Sequence, residues 1–252
     1  MTEELTKEQK FYQYVRDLPE EKLNQIRGNP QAVLQLYDNY PEGFMNIGLY
    51  KGEVILKEIK KKNPEVMIEL GGYLGYSAIL FGGQLQELNK AAKYYSFEAN
   101  PDYAKIATHM LELAGVSNVE IIIGKASFTL PEFRERIFED KYSPLNFIFI
   151  DHWKDLYVPD LRVLESLNLI APGTVIAADN IYHPGAPDYV TYVNMSPEEK
   201  NIFNQHNKNP EGKQYTGRWN ILYKTETIPV TNPKSGFSDA VEITKCVDFL
   251  SG

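Results

Sequence analysis

Along the first forty residues, apolar positions recur with helical spacing inside a charge-rich background. They are Phe11, Val15 and Leu18, then Leu23 and Ile26, then Val33, Leu34 and Tyr37. Pro19 and Gly28-Asn29-Pro30 interrupt the pattern, so short helices are expected in place of one long one. So few apolar groups could not form a core of their own, and residues 1–47 read as a helical extension packed on the main body. From residue 48 the period switches repeatedly between helix and strand. A stripe of Val54, Ile55, Leu56 and Ile59, with lysines opposite, predicts a helix over 52–62. Apolar runs at 66–70, 94–98, 119–123, 146–150 and 174–178 read as strands. Helical patterns at 76–88, 101–114, 131–138 and 161–169 separate them, and Gly115 is placed to stop the second of these.

Near-continuous apolar strands are expected where helices cover both faces of a sheet. Their regular alternation with helices predicts an α/β fold, doubly wound around a mostly parallel sheet. Residues 192–218 are polar and carry Pro197, Pro210, Gly212 and Gly217, so they read as a long excursion with one short helix at 197–203. Two closing strands, 219–224 and 240–245, flank a connection through Pro229, Pro233 and Gly236. They are expected to form an antiparallel pair joined by a long loop. The whole of 1–252 is read as one domain, with 48–252 as its catalytic core.

Composition narrows the function. With 43% apolar and 24% charged residues, the chain resembles a soluble globular protein. A net charge of −8 disfavours nucleic acid as a partner. Cys246 is the sole cysteine, so no intramolecular disulfide and no cysteine-built metal site is expected. The first six residues are polar and acidic, unlike a secretory signal, and no run of about 18 apolar residues is present. A cytoplasmic monomer that makes no membrane contact is the simplest expectation.

In doubly wound folds ligands bind beyond the carboxyl ends of the strands. Glu69, Glu98, Asp151 and Asp179 all stand at such ends. The turn Gly71-Gly72-Tyr73-Leu74-Gly75 follows the first strand. In a dinucleotide turn Tyr73 would occupy a glycine position and hinder a pyrophosphate, so a cofactor without one fits better. S-adenosylmethionine is such a cofactor: Glu98 can accept from its ribose hydroxyls, and Glu69 can help hold its ammonium. The plainer alternative is a tight strand-to-helix turn and nothing more. Asp151, Asp179 and Asn180 offer three oxygen ligands suited to Mg²⁺, although each aspartate alone could equally be a helix cap. Beside a divalent cation an ammonium gives up its proton more readily, which makes Lys154 a candidate general base as well as an ordinary surface cation. Trp153 and Pro184 are read as either an aromatic slot or packing, and His183 as structural.

These residues stand in motifs that resemble the catechol O-methyltransferases. The motifs are Met45-Asn46-Ile47-Gly48, Glu69-Leu70-Gly71-Gly72-Tyr73 with Gly75-Tyr76-Ser77-Ala78, Asp151-His152-Trp153-Lys154-Asp155, and Ala178-Asp179-Asn180 with Pro184-Gly185-Ala186-Pro187-Asp188. Weaker matches are Gly28-Asn29-Pro30-Gln31 and Glu98-Ala99-Asn100-Pro101. The resemblance implies a Rossmann-like methyltransferase fold that uses S-adenosylmethionine and Mg²⁺ to methylate a catechol hydroxyl. It implies Asp151, Asp179 and Asn180 as metal ligands and Lys154 as the base. Trp153, Lys154, Asn180 and Pro184 would meet the substrate. Met45, Glu69, Gly71, Tyr73, Ser77, Glu98, Ser127, Asp151 and His152 would meet the cofactor. Alternatives within the same reading are another vicinal-diol phenol, such as a caffeoyl derivative, or a binder of the cofactor without turnover. Two positions depart from the family. Gly43, next to Phe44, stands where a second tryptophan is usual, and Asn232-Pro233-Lys234 supplies no acid where a substrate-binding glutamate is expected before the last strand. The long polar stretch 192–218 suggests a microbial or fungal member.

Overall fold

The computed structural model describes residues 4–139 and 144–250. Seven strands form one sheet in the order β3-β2-β1-β4-β5-β7-β6. Its parallel part comprises β1 (Val66–Leu70), β2 (Lys93–Glu98), β3 (Val119–Ile123), β4 (Phe147–Ile150) and β5 (Val175–Ala178). The closing hairpin, β6 (Ile221–Thr231) and β7 (Ser238–Phe249), joins through β7, antiparallel to β5. The sheet is thus doubly wound and mostly parallel with a C-terminal antiparallel pair, as the strand pattern predicts.

Side-chain alternation splits the strands between two apolar layers. Met67, Phe147, Phe149, Val175 and Ala177 face one layer, covered by α1 (Lys7–Arg16), α2 (Glu20–Ile26), α3 (Pro30–Asp38), α4 (Gly48–Lys62), α5 (Tyr76–Leu88) and α6 (Pro101–Ala114). Ile68, Leu70, Ile148, Ile150, Ile176 and Ala178 face the other. There α7 (Ala126–Glu139), α8 (Tyr157–Ser166) and α9 (Pro187–Asn194) pack. The N-terminal helices share the first layer, with α3 lying on α5 and α6. No helix among the described residues is long and apolar enough to cross a membrane.

Three local expectations are corrected. First, α7 starts at Ala126, and Pro131 lies inside it, not at its start. One missing N–H is tolerated because Leu130, Phe133 and Ile137 are buried on the sheet. Second, the short helix expected at 197–203 is present and runs on to residue 206 as α10 (Pro197–His206), and a helix not expected from the sequence, α9, comes before it; each is opened by a proline at the position where its missing N–H costs no hydrogen bond. Third, β6 and β7 are 11 and 12 residues long and joined by a short turn, not a long loop. Pro229 fits inside β6 because β6 is the sheet edge.

The register fixes the functional edge. Leu70 stands opposite Ile150, and Ile150 opposite Ala178. The next residues, Gly71, Asp151 and Asp179, are therefore level at the carboxyl rim. Asp151 N donates to Leu70 O at 2.9 Å, and Asp179 N to Ile150 O at 3.0 Å. The chain order reverses at β1/β4, where such sheets open a crevice. Because β7 runs the other way with Glu242 opposite Ala178, its first residues project past the end of β5 into the same rim.

Gly71 has no room for a side chain there. Its φ is +99°, and a Cβ would stand 2.7 Å from the carbonyl oxygen of Asp151. Gly71→Ala is expected to cost about 2 kcal/mol or more of unfolding free energy, from backbone strain plus the displaced rim. Urea denaturation measures it. A loss within about 0.5 kcal/mol, the range of an ordinary surface change, would contradict the close approach.

Candidate active site

Asp151 and Asp179 come from neighbouring parallel strands, whose backbones lie roughly 4.8 Å apart. Burial and then repulsion by Asp179 push the Asp151 carboxyl well above the usual range, although Lys154 and Lys51 oppose this. Burial also raises Asp179, against the pull of Lys51. Asp179 Oδ2 accepts from Lys51 Nζ at 2.7 Å, while its Oδ1 is buried with no partner. Asn180 follows in the left-handed conformation, φ 58°. Its Nδ2 donates to Asp239 Oδ2 at 3.3 Å, so its amide oxygen is directed elsewhere.

An orphaned carboxylate oxygen, a second strained carboxylate and an amide oxygen form a donor set that suits a hard divalent cation. Among the described residues no three His, Cys, Asp or Glu side chains converge. The third ligand of such a set must therefore be the neutral amide. Asp151, Asp179 and Asn180 fit Mg²⁺ in chemistry.

Lys154 begins the single 3₁₀ turn after β4. Its Nζ donates to Asp151 Oδ1 at 3.2 Å and to Tyr157 Oη at 2.6 Å. Tyr157, fully buried, donates in turn to the carbonyl oxygen of Asp179 at 3.1 Å. The ammonium is thus held at the rim beside both acids. Trp153 is 80% exposed, and Pro184, after a cis His183–Pro184 peptide, is exposed as well.

The glycine turn forms the other half. A narrow crevice of about 30 Å³ is lined by Met45, Gly71, Tyr73, Ser77 and Asp151, five of the sequence-nominated residues. Tyr73 holds a left-handed φ of 44°, a strained conformation for a residue with a side chain. Its N–H donates to Glu98 Oε2 at 2.6 Å and its hydroxyl to Glu8 Oε1 at 2.6 Å, so α1 helps pin the turn. Glu98 Oε1 accepts from Asn100 N at 2.8 Å. Glu69 lies beneath the turn, fully buried. It accepts from Ser77 Oγ at 2.7 Å, Tyr94 Oη at 2.8 Å and Ser96 Oγ at 2.5 Å. Burial still outweighs those bonds and lifts its pKa to about 7.

Two nominated residues stand apart from the crevice. Ser127 Oγ donates to Glu211 Oε2 at 2.6 Å, tying α7 to the excursion. The His152 ring stacks on Tyr157, with Nε2 2.9 Å from Asp160 Oδ2 and Nδ1 buried without a partner. Phe44 does not replace the missing tryptophan: it packs among Phe11, Tyr37 and Tyr40. Three residues went unnoticed in the sequence, namely Lys51, Tyr157 and Asp239. A signal existed for Lys51, since it precedes Ile55 and Ile59 at four-residue steps and a lysine on an apolar stripe is anomalous. Residues 232–234 carry no acid. The acid that the last strand pair brings to this rim is Asp239 itself, carried there by antiparallel register.

A family model described as O-methyltransferase matches residues 31–209. Catechol O-methyltransferase of Bos taurus is 36% identical over 192 residues, 75% of this chain and 66% of that protein. Its Mus musculus counterpart is 37% identical over 195 residues, covering 76% and 69%. The chain thus spans about two thirds of the length of these relatives. Among solved structures, an O-methyltransferase from Bacillus cereus in complex with SAH superposes with a TM-score of 0.58 at 22% identity, covering 93% of this chain and 96% of that one. An SAH-bound methyltransferase from Podospora anserina gives 0.57 at 18%, covering 98% and 100%. At such identities these two structures speak for the fold.

Glu69 yields a prediction with a definite sign. Its folded pKa of about 7 lies above its ordinary 4.5, so between those values the folded chain holds a proton that the unfolded chain has lost. Stability therefore falls as pH rises through that window, by on the order of 3 kcal/mol at 1.36 kcal/mol per pH unit. Glu69→Gln removes this dependence. Urea melts of the two proteins from pH 4 to 8 should converge or cross as the wild type weakens; parallel curves would show that Glu69 ionises normally.

Proposed function

The chain belongs to the O-methyltransferase family, and we propose that it transfers the methyl group of S-adenosylmethionine to a hydroxyl of a catechol, with Mg²⁺ held by Asp151, Asp179 and Asn180. One observation carries the reading: two acids stand level on adjacent strand ends, Asp179 Oδ1 is buried without a partner, and a lysine is within reach. The catechol O-methyltransferase relatives support the same substrate class.

In this reading each residue has a mechanical task. The glycine turn seats the cofactor's amino-acid tail in the crevice lined by Met45, Gly71, Tyr73 and Ser77. The Glu98 carboxylate accepts from the backbone N–H groups of Tyr73 and Asn100, and its remaining acceptor capacity would take the ribose hydroxyls. Glu69, which burial leaves only partly ionised near neutral pH, would be favoured in its charged form by a cofactor ammonium beside it. Trp153 and Pro184 hold an aromatic ring flat at the rim, and His152 stiffens the loop by stacking on Tyr157. A bound Mg²⁺ supplies the charge that makes a vicinal hydroxyl acidic. Lys154, oriented by Asp151 and Tyr157, would first release its own proton to solvent, helped by repulsion from the cation, and as the neutral amine would accept the hydroxyl proton. Methyl transfer would form the oxygen–carbon bond as the sulfur–carbon bond breaks, with S-adenosylhomocysteine leaving, so the chain's residues would need only to align the two molecules and form no covalent intermediate.

The purified protein is expected to methylate a simple catechol from S-adenosylmethionine, to stop in EDTA and to recover with added Mg²⁺. Activity indifferent to EDTA would remove the metal from the account. Lys154→Ala should lower turnover on the order of a hundred- to ten-thousand-fold while cofactor affinity stays near wild type. A Lys154→Ala enzyme at full rate would refute its role as base.

A further inference from the structure

Asp239 and Lys51 are both buried charged groups, at 0% and 4% exposure, and neither has a task in the reaction described above. Asp239 makes five contacts. Its Oδ1 accepts from Ala240 N at 2.8 Å, Tyr182 N at 3.1 Å and His183 N at 3.1 Å. Its Oδ2 accepts from Lys51 Nζ at 2.9 Å and Asn180 Nδ2 at 3.3 Å. Lys51 completes the circuit by donating to Asp179 Oδ2 at 2.7 Å.

Each contact restricts something the site uses. An ionised carboxylate can only accept, so the Asn180 amide must turn its nitrogen toward Asp239 and its oxygen away. Lys51 occupies Asp179 Oδ2, which leaves Oδ1 as that residue's free oxygen. The two backbone N–H bonds clamp residues 182 and 183, and with them the start of the Pro184 wall. Buried ion pairs of this sort add little net stability over apolar packing, so stability alone does not account for the arrangement.

We infer that Asp239, acting with Lys51, is a positioning residue that aims the oxygens of Asp179 and Asn180 at a divalent cation and holds the substrate wall in register with them. The inference rests on the metal reading proposed above and goes beyond it by assigning the second layer that sets ligand direction. It also explains why the closing hairpin runs antiparallel past the end of β5: that register alone delivers an acid from residue 239 to the loop after residue 179.

The test is Mn²⁺ binding to the full chain, followed by the loss of the free-ion EPR signal, with and without substitution. Asp239→Asn offers one acceptor oxygen to five donors and lets the Asn180 amide flip. It is expected to weaken Mn²⁺ binding at least tenfold and to raise the KM for catechol, while S-adenosylmethionine affinity, measured on the same sample, stays unchanged. Intact cofactor affinity certifies the fold. Should Asp239→Asn not fold, Asp239→Glu keeps the charge and displaces the carboxylate by one methylene, and the same split is expected. Because Asp239 acts through Asn180, adding Asp239→Asn to Asn180→Ala should weaken Mn²⁺ binding less than it does in the wild type. An Asp239 variant with normal cofactor affinity, wild-type Mn²⁺ affinity and unchanged KM would overturn the inference alone. A wild-type protein that binds no Mn²⁺ would overturn the metal reading and this inference with it.

Discussion

Two carboxylates set level on adjacent parallel strands repel each other across a distance the sheet does not let them change. Backbone hydrogen bonds fix Asp151 to Leu70 and Asp179 to Ile150, and both acids sit in low-dielectric surroundings that oppose their charge. Lys51 beneath Asp179 and Lys154 beside Asp151 relieve part of that repulsion. What they leave is one buried oxygen without a partner. The strain is local, but the surrounding elements are arranged around it: α4 brings Lys51, the turn after β4 brings Lys154, and the closing hairpin brings Asp239.

The glycine turn meets the same rim through close backbone approach. Gly71 passes within contact distance of Asp151 and His152, so the cofactor seat and the acid pair cannot shift independently. Tyr73 is held in a strained backbone conformation by Glu98 below and by Glu8 from the first helix. The N-terminal extension is thereby part of the site's support. Coupling of this kind suits a transfer reaction in which two bound molecules must be aligned to a fraction of an ångström.

Much of this was legible in the chain. Four of the five parallel strands read as apolar runs because both of their faces are buried, the edge strand β3 is apolar though only half-buried, and acids ending such runs fall on one rim. The hairpin was less legible. Lys224-Thr225-Glu226-Thr227 is a polar run, and Thr225 and Thr227 bond Glu242 and Thr244 across the pair, so β6 reads as connection beyond residue 224. Pro131 was misread as a helix start because burial of one face of α7 outweighs a single lost hydrogen bond. Asp239 had no local signal at all. It is 60 residues from Asp179 in the chain and reaches it only through antiparallel pairing with β5. Lys51 does have a signal, its place on an apolar stripe, set against the ordinary expectation that a lysine is a solvated surface cation.

The central claim is that a cation belongs between the two strand ends. Anomalous diffraction from crystals soaked in Mn²⁺ tests it directly. A single peak within roughly 2.2 Å of oxygens from Asp151, Asp179 and Asn180, distances ordinary for a small divalent ion, is the predicted result. A protein that crystallises with Asp179 Oδ1 still unpartnered, and with Mn²⁺ absent from that rim or bound elsewhere, would contradict it.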